Sequence, residues 1–308
     1  MVALDQIKVI AENRSKNTMD HPSNKLITRK PKRLFTFGCS FSNYNWGGMW
    51  PEIVAYDLNI PYYNYGLCAS GNQYIACMIM QADIFYKFNS DDLIIVQWTN
   101  VCREDRYAWG VWQTSGNIFT SNFHDDTYKK QWADPEGYLL RDLTSIQFVD
   151  TFLTSKECQY HFLSMVNIAS TPDQYSDDTK IFDNITSIFI NTLAKIHKSF
   201  YEVLWHDKIS IKLKRDMQLI GKKFIDGHPH PAETLEYLQK TFTEHSFDSR
   251  TIQSVGEIHQ KWIDEMKKYH TTYHFKQPDW LWQHRHKIRQ ATTILPAQKV
   301  QGIVSNLD

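Results

Sequence analysis

The sequence predicts an α/β fold built on a parallel sheet, and three observations carry that expectation. β-prone apolar runs stand at Leu34-Phe35-Thr36-Phe37, at Tyr62 to Tyr65 and at Leu93-Ile94-Ile95-Val96-Gln97-Trp98. Stretches with helical spacing separate them, and each run stops at a turn of small or polar residues. Strands repeated this closely with helices between them pair in parallel, because a parallel neighbour is reached through a crossover, right-handed as a rule. Function then belongs at the carboxyl ends of the strands.

In chain order, residues 1–30 are polar and aperiodic and are closed by Pro31, which reads as an N-terminal arm. Leu34 to Phe37 is a buried strand that delivers the chain into a sharp turn at Gly38, whose lack of a side chain opens backbone geometry closed to other residues. Trp50, Ile53, Val54 and Asp57 place a helix over Gly48 to Leu58. Tyr62 to Tyr65 is a second strand, and Ile75, Ile79, Ala82 and Tyr86 mark a helix that opens at Asn72. Leu93 to Trp98 is the clearest buried strand. The pattern is then lost until about Gly137, across a polar stretch holding Trp109, Trp112, Phe119, Tyr128 and Trp132; that is too long for a plain connection and reads as a lid or a binding insertion. Helical spacing resumes at Phe148 and Phe152 and again at Ile185, Phe189, Leu193 and Ile196. Phe200 to Trp205 is expected as a further strand. Pro231, at a first helical position, leads Leu235, Leu238 and Phe242 into a helix, and Ile258, Trp262, Met266 and Tyr269 mark another. The organisation expected is an arm at 1–30, an α/β domain at 31–243 with an insertion at about 101–180, and a helical C-terminal extension at 244–308.

Composition narrows the function classes. Among 308 residues, 34 basic side chains balance 34 acidic ones, which removes the positive excess that binding to nucleic acid or an anionic membrane draws on. No apolar run approaches the ~18 residues of a membrane span, and the N-terminal region lacks the pattern of a secretory signal. The five cysteines (Cys39, Cys68, Cys77, Cys102, Cys158) are odd in number and show no C-x-x-C spacing, so a reducing, cytoplasmic setting is expected, with neither a disulfide framework nor a zinc ribbon. Aromatic residues reach 14% against only 12 glycines, an excess of rings that can pack a core or serve as recognition platforms.

Four segments carry chemistry: Gly38-Cys39-Ser40-Phe41-Ser42, Gly66-Leu67-Cys68-Ala69-Ser70-Gly71-Asn72, Trp98-Thr99-Asn100 and Asp226-Gly227-His228-Pro229. Their order and placement resemble the Ser, Gly, Asn and His blocks of the SGNH (GDSL-type) esterase and lipase superfamily, over residues 33–100 and 224–243. Trp50-Pro51 and Ser70-Gly71-Asn72 are similar to bacterial and phage members. The resemblance implies a flavodoxin-like three-layer sandwich with a central parallel sheet and no cofactor. It implies Ser40 as nucleophile, His228 as general base and Asp226 as the acid that orients the base. The Ser40 N–H, the Gly71 N–H and the Asn100 side chain would hold the oxyanion. The implied reaction removes a short acyl group, acetyl foremost, from a carbohydrate or similar polar ester through an acyl-Ser40 intermediate. The implied partner is a small-molecule or oligosaccharide ester; a phage-encoded member would be virion-associated, with the C-terminal extension as the contact for a second copy or an assembly partner.

The pattern also departs from the family. Gly-Cys-Ser stands where Gly-Asp-Ser is usual, and Asp226 is one residue from His228 and three from His230 where two is commoner. His228 and His230 therefore both stand as the base, with His-Pro before a helix favouring His228. Asp226, His228 and His230 have a competing reading as metal ligands. Cys39 is a thiol beside the nucleophile position, but one step along a turn points elsewhere, so it reads as structural. Asn100 has the alternative of a helix cap, with Thr99 as an alternative donor. Arg103, within Arg103-Glu104-Asp105-Arg106, is either a substrate contact or part of a solvated charge cluster. Trp98 and Trp109 are expected at the substrate, with core packing as the alternative, stronger for Trp98. Two further readings remain: an SGNH-like scaffold that binds glycan or builds a particle with little turnover, and an O-acyltransferase.

Overall fold

Short apolar strands with helices between them give the order the sequence suggests. β1 (Arg33–Phe37), α1 (Trp50–Leu58), β2 (Tyr62–Asn64), α2 (Asn72–Tyr86) and β3 (Asp92–Trp98) follow one another. A hairpin of β4 (Arg103–Ala108) and β5 (Val111–Asn117) comes next, then α3 (Asp126–Trp132), α4 (Pro135–Ser155) and β6 (Gln159–Ser164). Three short helices, α5 (Asp183–Ile188), α6 (Ile190–Ala194) and α7 (Phe200–Trp205), lead to α8 (Ile209–Ile220), α9 (Pro231–Thr241) and α10 (Ser249–Lys268). The computed structural model describes residues 22–43, 47–119, 124–169, 183–221 and 227–268. Asp226 and residues 269–308 of the expected extension lie outside the described residues.

The central sheet runs β2-β1-β3-β6 with every pair parallel; Leu34 is in register with Tyr62 and Leu93, and Leu93 with Gln159. Period-two alternation sends Phe35, Phe37, Ile94, Val96, Trp98 and Phe162 to one face and Leu34, Leu93, Ile95 and Leu163 to the other. Ile75 and Ile79 of α2 and Leu143 and Ile146 of α4 cover the first face. Trp50 and Val54 of α1, Leu204 of α7 and Leu238 of α9 cover the second. The result is the expected flavodoxin-like three-layer sandwich. A sheet buried on both faces needs apolar residues at successive positions, which is why β1 and β3 are readable as continuous runs.

Two expectations about elements need correcting. β6 was not anticipated, and it lies inside the stretch expected as an insertion at about 101–180 while forming part of the sheet. Its sequence, QYHFLS, carries polar residues that find specific partners. The Gln159 Oε1 accepts the N–H groups of Thr28 (2.8 Å) and Arg29 (3.0 Å), and His161 Nε2 lies 2.9 Å from the Leu26 carbonyl. Residues 22–30 of the expected arm are thereby fastened to β6, with Leu26 fully buried. Phe200 to Trp205, expected as a strand, is α7. The Ser199 hydroxyl accepts the Glu202 N–H (3.1 Å) while the Glu202 carboxylate accepts the Ser199 N–H (2.7 Å), a capping box that starts a helix. What remains of a fifth strand is the single parallel bridge between Ile196 and Phe162.

Among the described residues, part of the aromatic excess packs the core. Trp50, Trp98, Trp205 and Trp262 are all fully buried. The last of these sits on α10, which packs against α1, α8 and α9. Among the described residues no helix is long and apolar enough to cross a membrane.

Ile95, fully buried at the centre of β3, tests the packing account. Ile95→Ala should cost ~2–5 kcal/mol by urea denaturation, whereas Ile84→Ala, on the solvent side of α2, should stay within about 0.5 kcal/mol of the parent.

Candidate active site

The strand order places the carboxyl ends of β1 and β3 side by side, with the crossovers leaving on opposite faces. That is the switch point where open α/β sheets bind ligands. The chain leaves β1 into a turn closed by the Ser42 N–H on the Cys39 carbonyl at 2.9 Å. Buried Ser42 locks this turn: its hydroxyl donates to Gln97 Oε1 on β3 (2.7 Å) and accepts from the Trp50 indole N–H (3.2 Å). Asn64 Nδ2, at the end of β2, donates to the Ser42 carbonyl at 2.8 Å. Gly38 is required by space and not by backbone freedom, which corrects the expectation: a Cβ there would sit 2.1 Å from Ser42 Oγ. Cys39 is fully buried with its sulfur toward Met165, as a structural residue would be.

The turn presents Ser40, 7% exposed, to a histidine from the far end of the chain: His228 Nε2 lies 2.7 Å from Ser40 Oγ. With the ring proton on Nδ1, the Ser40 hydroxyl donates to Nε2, the arrangement a general base needs. The Phe41 ring lies 5.1 Å from the imidazole, walling one side. His230, the competing base, is turned away and buried at the N-cap of α9. Its Nδ1 accepts the Glu233 N–H at 3.3 Å, and its ring stacks on His259. Burial, then the nearby Lys212 charge, pushes its imidazole well below the usual range, consistent with a neutral acceptor.

The metal reading fares differently from its sequence form. His228 and His230 diverge, and the described residues that gather are Asp216, His230 and Glu233. Lys212 fills that cluster: its Nζ lies 2.5 and 2.6 Å from the two Asp216 oxygens and 3.5 Å from Glu233. Glu233 also accepts from the Trp205 indole (2.9 Å) and the His230 N–H (3.3 Å). This buried charge network was missed in the sequence, although Pro231 followed by Glu233 at the third helical position is a capping signal. It anchors the N-cap of α9, two residues beyond His228.

The oxyanion donors divide. Asn100 is buried, and its Oδ1 accepts the Cys102 N–H at 2.8 Å, leaving Nδ2 as the donor end. Among the described residues no hydrogen bond engages that Nδ2 or the Ser40 N–H. Gly71 departs from expectation, because its N–H donates to Asp105 Oδ1 at 2.8 Å. Asp105 arrives from β4 and also accepts the Tyr74 N–H (2.9 Å), so it caps the α2 N-terminus that Gly71 cannot cap itself. Burial pushes the Asp105 carboxyl up, while the bonds from Tyr74 and Gly71 pull it down. Space again dictates glycine: a Cβ on Gly71 would meet Asp105 Oδ2 at 2.7 Å and Arg103 Cβ at 2.8 Å. Residues 103–108 read as a charged stretch with no apolar alternation, so nothing in the sequence announced the strand that brings Asp105 here.

Thr99, the alternative donor, is engaged elsewhere: its hydroxyl faces the Met165 sulfur, and its N–H and carbonyl are clasped by Asn72 at 2.9 and 3.0 Å. The expected substrate contacts are corrected too. Trp98 is fully buried and edge-on to Phe162, so it is a core residue. Arg103 spends its guanidinium on the Ser70 carbonyl (2.8 Å) and the Met165 sulfur (3.6 Å), bracing the loop before Gly71. Trp109 stands 90% exposed at the hairpin tip, in a two-residue turn with Gly110 in which both residues have positive φ.

Asp142 supports the Asn72 clasp, accepting from Asn72 Nδ2 at 2.8 Å and from Arg141 Nε at 2.7 Å. It is fully buried, and that burial pushes its carboxyl from 3.8 up to about 6 despite both partners. The folded protein then binds this proton more tightly than the unfolded chain, so stability should fall as pH rises from 3.8 to about 6. Asp142→Asn should remove that slope from urea midpoints measured across the window. Gly38→Ala should cost ~1–3 kcal/mol in the same assay, as overpacking against Ser42 does.

No protein-family model matches the sequence, and no curated protein matches it. Solved structures similar to this chain include GDSL-type lipolytic proteins and a carbohydrate esterase, at low identity. A GDSL-like lipase from Bacteroides thetaiotaomicron is 11% identical with a TM-score of 0.39, covering 82% of this chain and 97% of its own. A member of the lipolytic protein G-D-S-L family from Veillonella parvula is 15% identical with a TM-score of 0.38, covering 69% and 99%. A carbohydrate esterase family 2 enzyme with its carbohydrate binding domain, from Corynascus thermopiles (Myceliophthora fergusii), is 12% identical with a TM-score of 0.38, covering 70% and 68%.

Proposed function

We propose that the protein is a serine esterase that removes a short acyl group, acetyl foremost, from a carbohydrate or similar polar ester. The observation that carries this reading is the 2.7 Å approach of His228 Nε2 to Ser40 Oγ at the switch point of the sheet. In the acylation step His228 takes the Ser40 proton as Oγ bonds to the ester carbonyl carbon. The oxyanion is held by the Ser40 N–H and Asn100 Nδ2. The carbon–oxygen bond to the alcohol then breaks, and His228 returns the proton to the departing oxygen. Water then attacks the acyl carbon as it loses a proton to His228, and the bond to Ser40 Oγ breaks as His228 returns that proton to Oγ, releasing the acid. Asp226 is the acid proposed to orient His228.

One observation favours the second reading, a glycan-binding scaffold with little turnover: the Gly71 N–H is already bonded to Asp105, which leaves two oxyanion donors where three were expected. Losing one donor typically costs ~10²–10³ in kcat, so turnover without Gly71 would be slow, not absent.

Kinetics on p-nitrophenyl acetate separate the two readings. Ser40→Ala and His228→Ala should abolish hydrolysis, and Asn100→Ala should lower kcat by ~10²–10³. Activity retained in Ser40→Ala would remove the mechanism; no activity in the parent protein would favour the scaffold.

A further inference from the structure

β4 presents alternate residues to opposite sides. Arg103 and Asp105 reach back to Ser70 and Gly71, whereas Glu104 and Arg106 line a cleft of about 550 Å³ between the hairpin and the corner where α3 meets α4. Tyr128, Trp132, Asp134, Gly137, Tyr138 and Arg141 complete its walls. The polar groups are held in place by one another. Glu104 accepts from the Tyr138 hydroxyl (2.5 Å) and from Arg106 Nε (3.1 Å), and Arg106 also donates to the Tyr128 hydroxyl. Arg141 lies over the Tyr138 ring at 4.5 Å, and its Nη2 donates to the Arg103 carbonyl at 2.9 Å. The cleft therefore adjoins β4, which begins three residues after Asn100.

The Trp132 side chain is 63% exposed, with no side-chain hydrogen bond or ring contact among the described residues. The formal charges cancel, Glu104 and Asp134 against Arg106 and Arg141, so the cleft favours neither an anion nor a cation. Exposed ring faces suit the C–H faces of a flat, polar molecule, and fixed carboxylate and guanidinium groups suit adjacent hydroxyls, which donate and accept together. We propose that this cleft binds a neutral pyranose unit of an oligosaccharide, with Trp132 as the stacking platform and Glu104 and Arg106 as the hydroxyl contacts. The site deepens the esterase reading and rests on it only for its role as a substrate subsite; the binding itself requires no turnover.

The test uses the full chain carrying Ser40→Ala, titrated with xylotriose and chitotriose as neutral probes and trigalacturonate as an anionic one. Tryptophan fluorescence and saturation-transfer NMR are the readouts. At least one neutral trisaccharide should bind saturably, and adding Trp132→Ala or, separately, Arg106→Ala should weaken it ~10-fold or more, both side chains being exposed enough to leave the melting temperature unchanged. No saturable response to either neutral sugar, undiminished affinity in both double variants, or tighter binding of trigalacturonate would overturn the proposal. Failure of the esterase reading looks different: sugar binding persists with its Trp132 dependence while the parent protein cleaves no acetylated xylotriose.

Discussion

The contact between Ser40 Oγ and His228 Nε2 joins residues 188 positions apart, and the rest of the structure can be read as what keeps them 2.7 Å from each other. A single hydrogen bond contributes on the order of 1 kcal/mol, too little to draw together two free loops whose ordering costs ~1–2 kcal/mol per residue. Its two ends must be fixed independently. On the serine side, Ser42, Gln97 and Trp50 tie the turn after β1 to its neighbouring strand and to α1. On the histidine side, Glu233 gathers Trp205, His230 and the Lys212 ammonium at the head of α9. Each cluster is buried, where leaving one partner unpaired is costly, so each holds its turn more firmly than the contact it serves.

The hairpin inserted after β3 is bound to this arrangement through Asp105 on the α2 N-terminus and Arg103 on the Ser70 carbonyl. The unpaired N–H groups at the start of α2 can serve an oxyanion or a helix cap, and a given N–H cannot do both at once. Asp105 takes the Gly71 and Tyr74 N–H groups for the cap. The same strand turns Glu104 and Arg106 toward the aromatic cleft, so the oxyanion side and the cleft side of β4 are opposite faces of one element. A shift of β4 would alter both, which links how the pocket is furnished to how much oxyanion stabilisation is available.

Much of the fold was legible because burial on both faces makes β1 and β3 continuous apolar runs, and because Pro231 marks the start of α9. Ser40 and His228 were legible because each sits in a short local pattern beside a strand end or a helix start. What escaped the sequence depends on partners distant in the chain. β6 reads as polar, since Gln159 and His161 find partners in residues 26–29, more than a hundred positions earlier. α7 and a strand share the same short aromatic run, and the Ser199–Glu202 box decides between them. Gly71 looked like an open donor because its acceptor, Asp105, comes from a strand that had no apolar alternation to announce it. Trp98 lies next to Thr99 and Asn100 in sequence, yet the pleat directs it into the core.

Covalent labelling tests the central claim most directly. A fluorophosphonate probe phosphonylates a serine only when a base removes its proton as oxygen attacks phosphorus and fluoride departs. With the intact chain, peptide mass mapping should place the adduct on Ser40, and the adduct should disappear in His228→Ala while persisting in His230→Ala protein that keeps its fold. Labelling that goes to another residue, or that is indifferent to His228, would contradict the account.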